Sequence, residues 1–192
     1  MNLANKLTMA RIGMTFLLMW FLFMEGMIAK VIALVIFLAA CGTDFLDGWV
    51  ARRRKETSDF GKLMDPIADK ILVIGIFLAF VELRLVPAWM VIVIIAREFL
   101  ITGLRLFAIR KGVVLAAERA GKHKTVSQML TIFVILLFVI FKESFSGSGQ
   151  ARQAFENGTR TAILLLMSGT VFLTLASGFS YLWQNRKLIK GF

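Results

Sequence analysis

The 192 residues are 58% hydrophobic, include only two prolines, and carry 23 Lys and Arg against 12 Asp and Glu, a formal net charge of +11. A mean hydropathy of +0.78 excludes a water-soluble globule and points to an all-α integral membrane protein, one polytopic domain over residues 1–192 with length for about six spans of ~20 residues. The basic residues are interspersed with apolar runs instead of forming a recognition face, so the expected partner of the charge is anionic lipid headgroups and not nucleic acid.

Lys6 and Arg11 precede an uncharged run from Ile12 to Met24 that lacks a small-residue cleavage site, so it reads as a retained first helix. Asn5, Thr8 and Arg11 recur every third residue. They form a polar stripe on a short amphipathic N-terminal segment, suited to headgroup anchoring or to lining a site. The second span runs from Val31 to Ala51 and carries Asp44 and Asp47 near its end, before the basic run Arg52-Arg53-Arg54-Lys55. Gly61 opens the third span, with Asp65 and Asp69 in its first turns and an apolar continuation from Ile71 to Val81. Glu82 to Arg84 and Pro87 separate it from a fourth span to about Leu106, in which Glu98, Thr102 and Arg105 share one stripe that lets Arg105 sit near Glu98.

The stretch from Phe107 to Lys124 holds Arg110, Lys111, Arg119, Lys122, His123 and Lys124 with one acid, Glu118, and reads as a basic loop. A fifth span from Thr125 to Phe141 is followed by a Gly/Ser-rich loop from Ser144 to Gly158 and a sixth span from Thr161 to Tyr181. Of the Lys and Arg residues, sixteen fall on the side of the N-terminus and five opposite (Lys30, Arg84, Lys142, Arg152 and Arg160), with Lys70 and Arg97 inside spans. This asymmetry places both termini in the cytosol of a bacterial inner-membrane protein. The ends of spans two and four and the starts of three and five then meet in one chamber at the cytosolic side.

The chemistry concentrates between Asp44 and Asp69. Asp44 and Asp47 are three apart and Asp65 and Asp69 four apart, so each pair occupies one helix face. A carboxylate at the centre of a spanning helix costs about 2.5–3.5 kcal/mol, so four of them require a cationic counterpart. Cys41 cannot form an intrachain disulfide, and a single cysteine and a single histidine give no thiolate or imidazole site. Internal ion pairs would need basic partners at matching positions, and only Arg52 and Lys70 lie close in sequence; any bound metal should be a hard, oxygen-liking cation. Cys41 reads as packing and His123 as interfacial.

The full spacing D-x-x-D-G-x-x-A-R-x8-G-x-x-x-D-x-x-x-D resembles, without a departure, the signature of the CDP-alcohol phosphatidyltransferase family. The resemblance implies that Asp44, Asp47 and Asp65 hold a pair of divalent cations, Mg²⁺ or Mn²⁺. Asp69 would share in coordination and act as general base for the acceptor hydroxyl. Gly48, Ala51, Arg52 and Gly61 match positions that receive the CDP moiety. Their chemistry agrees: small residues admit a nucleotide close to backbone, and an arginine binds phosphate bidentately.

Three further stretches are similar to the branch of that family that makes phosphatidylglycerophosphate: Asn5 to Arg11, Ala96-Arg97-Glu98 with Gly103-Leu104-Arg105, and Gly121-Lys122-His-Lys124-Thr125-Val-Ser-Gln128. That resemblance implies transfer of a phosphatidyl group from CDP-diacylglycerol to sn-glycerol 3-phosphate with release of CMP. Arg105, Lys122, Lys124 and, more weakly, Arg119 are the candidates for the acceptor phosphate, and the family suggests a homodimer. Other acceptors are inositol phosphate, phosphatidylglycerol or serine. A divalent-cation transporter would also place acids in helices, but it needs a polar path to the other face, and the far half of the spans is almost wholly apolar. A membrane prenyltransferase uses aspartate pairs too, although this chain is short for that bundle and the Gly/Ala/Arg spacing has no role there.

Overall fold

The computed structural model describes residues 3–54, 59–110, 119–144 and 149–186, with side chains at 8–43, 67, 68, 70–108, 124–144 and 149–186. The described residues form six helices and no strand: α1 Leu3–Phe23, α2 Met27–Arg54, α3 Asp59–Glu82, α4 Ala88–Arg110, α5 Arg119–Ser144 and α6 Gln150–Gln184. All six expected spans are present as helices, with three differences at their ends. The amphipathic N-terminal segment is the first turns of α1 and not a separate element. The basic stretch up to Lys124 is partly helical, because α4 runs to Arg110 and α5 begins at Arg119. The Gly/Ser-rich loop ends at Gly149. Beyond it Gln-Ala-Arg-Gln-Ala-Phe-Glu is a run of helix formers, steadied by an i,i+4 pair between Arg152 and Glu156 at 3.6 Å.

Turn chemistry fixes the hairpins. Gly26 adopts φ 96° between α1 and α2, a conformation open to glycine. Lys30 then reaches back one turn into α2, donating to the carbonyls of Leu22 at 2.7 Å and Met24 at 2.6 Å, and so caps the end of α1. The end of α3 is a Schellman turn in which Arg84 N–H donates to Val81 O and Leu85 N–H to Phe80 O, both at 2.9 Å. Arg84 occupies the left-handed position at φ 55°, where glycine is the usual residue.

α1 packs mainly against α2 and α3, α5 against α2 and α6, and α4 against α6. The core runs through Leu18 and Leu22, Ala33, Phe37 and Ala40, Leu72, Ile76, Phe77 and Phe80, Ile94, and Ile132, Ile135 and Leu136. The Phe77 and Phe80 rings meet edge to face at 6.4 Å. Gly75 lets α1 approach α3, since a Cβ there would stand 3.1 Å from Thr15 Cγ2. The outward faces carry Phe16, Trp20, Ile28, Ile92, Phe99, Leu165, Phe172 and Phe179, all largely exposed. Such a surface suits lipid and would be an aggregation hazard in water. By length and apolarity alone, the segments Lys124–Ser144 and Gln150–Gln184 are sufficient to cross a membrane.

The turn geometry makes a paired prediction. Arg84→Gly relieves the left-handed strain and should raise unfolding free energy in detergent by about 1 kcal/mol, whereas Gly26→Ala should lower it by at least ~1 kcal/mol. Circular-dichroism melts of the two variants against the wild type read both signs.

Candidate active site

The inward register of α2 and α3 leads to the aspartates. In α2 the buried positions Ala29, Ala33, Phe37 and Ala40 recur at helical spacing, and the next steps along that stripe are positions 44 and 47. In α3, stepping back from buried Ile76 and Leu72 reaches 69 and then 65. Both pairs therefore lie at positions that continue the packed faces of α2 and α3, each of which packs on α1 and α5. The side chains of Asp44, Asp47, Gly48, Ala51, Arg52, Gly61, Asp65 and Asp69 lie outside the described residues, as do those of Arg119, Lys122 and His123. The helices that carry them are described.

α1 brings a second polar set to this level. With α2 antiparallel to both neighbours, α1 and α3 run the same way, and the contact of Thr15 with Gly75 sets their register. Counting back along both helices puts Arg11 level with Ile71 and Thr8 level with Ala68, beside the turn of α3 that holds Asp69. Thr8 and Arg11 are each 1% exposed, as is Thr15. The stripe thus faces into the bundle, and simple headgroup anchoring does not describe it.

On the other side of α3 a cluster of charges is fully described. Lys70, the residue after Asp69, donates to Thr102 Oγ1 of α4, whose own hydroxyl donates to the carbonyl of Glu98 at 2.7 Å. The Glu98 carboxylate takes an ion pair from Lys124 of α5 and stands 3.7 Å from Arg97 Nη1. Arg97 donates in turn to Ser177 Oγ of α6 at 3.1 Å. These groups are little exposed, with side-chain values of 7% for Lys124, 12% for Arg97 and 14% for Glu98. Four helices are joined at one level by charge-assisted contacts.

The structure brings some of the sequence candidates together and leaves others apart. Lys124 is inside the cluster. Arg105 is exposed, and the partner of Glu98 is Lys124 and not Arg105, because Arg105 lies two turns from Glu98 along α4, while the Lys124 side chain reaches Glu98 from α5. Lys70 and the partner of Arg97 escaped the sequence reading. A lysine directly after a signature aspartate was the signal for the first, and the pair Ser177-Gly178 within an apolar helix was the signal for the second. Gly178 has its Cβ direction filled by Arg97, whose Cγ lies 3.1 Å away. A buried polar seam continues from this point between α5 and α6, where Thr131 and Thr170 hydroxyls meet at 2.6 Å and Gln128 and Thr174 lie buried nearby in sequence.

The signature aspartates thus fall at positions that continue packed helix faces, and a described cluster of charges begins one residue on, at Lys70. A model of the CDP-alcohol phosphatidyltransferase family matches residues 1–182, and the chain belongs to that family. Membership in a family of transferases gives no support to a cation transporter. Among its relatives, the CDP-diacylglycerol--glycerol-3-phosphate 3-phosphatidyltransferase of Bacillus subtilis is 35% identical, covering 98% of this chain and 97% of its own length. The protein of the same name from Rickettsia bellii is 32% identical over 97% of this chain and 96% of its own. A probable phosphatidylglycerophosphate synthase of Mycobacterium tuberculosis is 34% identical over 99% of this chain and 84% of its own.

The notch in α6 can be tested by crowding it. Gly178→Ala should destabilise the protein by about 1–3 kcal/mol, the usual cost of overpacking. In an Arg97→Ala background the same change should cost little, which a double-mutant cycle of detergent unfolding reads directly.

Proposed function

We propose that this enzyme transfers the phosphatidyl group of CDP-diacylglycerol to sn-glycerol 3-phosphate, forming phosphatidylglycerophosphate and CMP. The relatives named for this reaction match nearly the whole chain. The observation that carries the reading is the bond from Lys70 to Thr102, which ties the turn after Asp69 to the Glu98–Lys124 pair. A metal-binding face and an anion-binding face are thus adjacent, one for each substrate.

Asp44, Asp47, Asp65 and Asp69 form a donor set of oxygen ligands on two adjacent helices, which fits a pair of hard divalent cations, Mg²⁺ or Mn²⁺. When bound, such ions neutralise the pyrophosphate of the donor and the charge on departing CMP. Gly48, Ala51 and Gly61 leave room for the nucleotide against backbone, and Arg52 pairs with its phosphate. Lys124, Lys122, Arg105 and, more weakly, Arg119 hold the phosphate of the acceptor. Asp69 removes the proton from the acceptor hydroxyl as its oxygen bonds to the phosphatidyl phosphorus, and the bond from that phosphorus to the CMP oxygen breaks.

All six helices span the bilayer in this reading. Their ends carry the charge asymmetry that keeps termini and active site cytosolic, and the exposed apolar faces meet lipid or a second copy in a homodimer. This arrangement gives a lipid donor and a water-soluble acceptor access to one chamber. A reporter fused after Phe192 should be cytosolic and one inserted near Ser148 external, and the reverse pair would invert the topology.

Purified protein assayed for CMP release tests the chemistry. Asp44→Asn, Asp47→Asn, Asp65→Asn or Asp69→Asn should each lower turnover by orders of magnitude, and chelator should do the same until Mg²⁺ is restored. Lys124→Gln should raise KM for glycerol 3-phosphate about tenfold to a hundredfold with little change for CDP-diacylglycerol, and Arg52→Gln should do the opposite. Turnover with an unphosphorylated alcohol and none with glycerol 3-phosphate would refute the acceptor assignment.

A further inference from the structure

Glu98 presents a puzzle of sign. It is the described carboxylate in a cluster of cations, and it sits where the reading above needs to attract a phosphate. By charge alone it opposes acceptor binding, because a negative group beside Lys124 repels an anion. Its backbone carbonyl also accepts from Thr102, so both the side chain and the main chain of Glu98 hold a member of the cluster.

The geometry points to Glu98 as a positioning residue for the acceptor site: its carboxylate holds the Lys124 ammonium at the α4–α5 junction, oriented for the acceptor's phosphate. This inference rests on the acceptor reading of Lys124. A lysine stem has four rotatable bonds and an ammonium with three donors, so one fixed partner orients the group and leaves donors for a second anion. Arg97 Nη1 stands 3.7 Å from the same carboxylate oxygen, Oε1, that Lys124 meets. Arg97 is wedged against Gly178 and bonded to Ser177, so the position of Glu98 is set from α6 as well as α5. Lys70, Arg97 and Lys124 against Glu98 leave a formal charge of +2 within the cluster, the complement of a phosphate monoester dianion.

The opposing signs of charge and orientation make the test decisive. In wild-type protein, KM for glycerol 3-phosphate, KM for CDP-diacylglycerol and the inhibition constant of inorganic phosphate are measured beside Glu98→Gln, Glu98→Asp, Lys124→Gln and the Glu98→Gln/Lys124→Gln double variant. Orientation predicts that Glu98→Gln raises KM for glycerol 3-phosphate and weakens phosphate inhibition about tenfold, with KM for CDP-diacylglycerol unchanged. Glu98→Asp should restore much of the loss, and Glu98→Gln should add little once Lys124 is Gln, since the two act as one unit. A lower KM or stronger phosphate inhibition in Glu98→Gln would make Glu98 a mere counter-charge and overturn the inference. So would fully additive effects, or equal shifts for both substrates. If Lys124→Gln itself leaves KM for glycerol 3-phosphate unchanged, the acceptor reading fails first. If Lys124→Gln raises it and Glu98→Gln does not, only the positioning role fails. Should Glu98→Gln not fold, Glu98→Asp in wild-type and Lys124→Gln backgrounds supplies the same cycle: the carboxylate drawn back by one methylene should leave a residual rise of a few-fold in KM for glycerol 3-phosphate that vanishes in the Lys124→Gln background, and no residual rise, or an equal rise in both, overturns positioning.

Discussion

Ionised groups inside an apolar helical bundle are tolerated only where other charges or hydrogen bonds meet them, and the centre of this protein is arranged around that requirement. Lys70, Arg97, Glu98 and Lys124 come from three helices, and Ser177 brings in a fourth. Each contact depends on its neighbours, because removing either Glu98 or Lys124 would leave the other a little-exposed charge without its nearest partner. Packing then follows polarity: small residues appear where charged stems must pass, as Gly178 does beneath Arg97.

The same economy explains the uneven distribution of polar groups along the bundle. The far ends of α3, α5 and α6 are closed by turn chemistry and exposed ion pairs, such as Lys142 with Glu156 at 3.8 Å, which contribute little to stability. The middle is apolar and packed by Phe37, Phe77, Phe80 and Ile135. Apart from Lys30 at the α1–α2 turn, buried polar side chains gather toward the end where the signature aspartates lie, as Thr15, Arg11 and Thr8 do on α1 and Gln128 and Lys124 on α5.

Much of this was legible in the sequence. The spacing of Asp44, Asp47, Asp65 and Asp69 identified the family, and apolar runs separated by basic clusters gave all six helices. Helix ends were less legible, because a glycine such as Gly149 stops a pattern without saying how soon the next helix starts. Tertiary partners were the least legible. Glu98 lies on a stripe with Arg105, yet its ion pair is with Lys124, twenty-six residues away, and no local periodicity reports which helix packs alongside another. Arg11 shows the same limit: a basic residue near a membrane entrance reads equally as a headgroup anchor or as part of a site, and only its burial in the bundle decides between them.

The cap that Lys30 places on α1 bears on how the chain is assembled. Its bonds reach back only eight and six residues, so the first helical hairpin can close while the remainder is still emerging from the ribosome. That hairpin already holds Arg11 together with the positions of Asp44 and Asp47, so the association of the first two helices need not wait for α3.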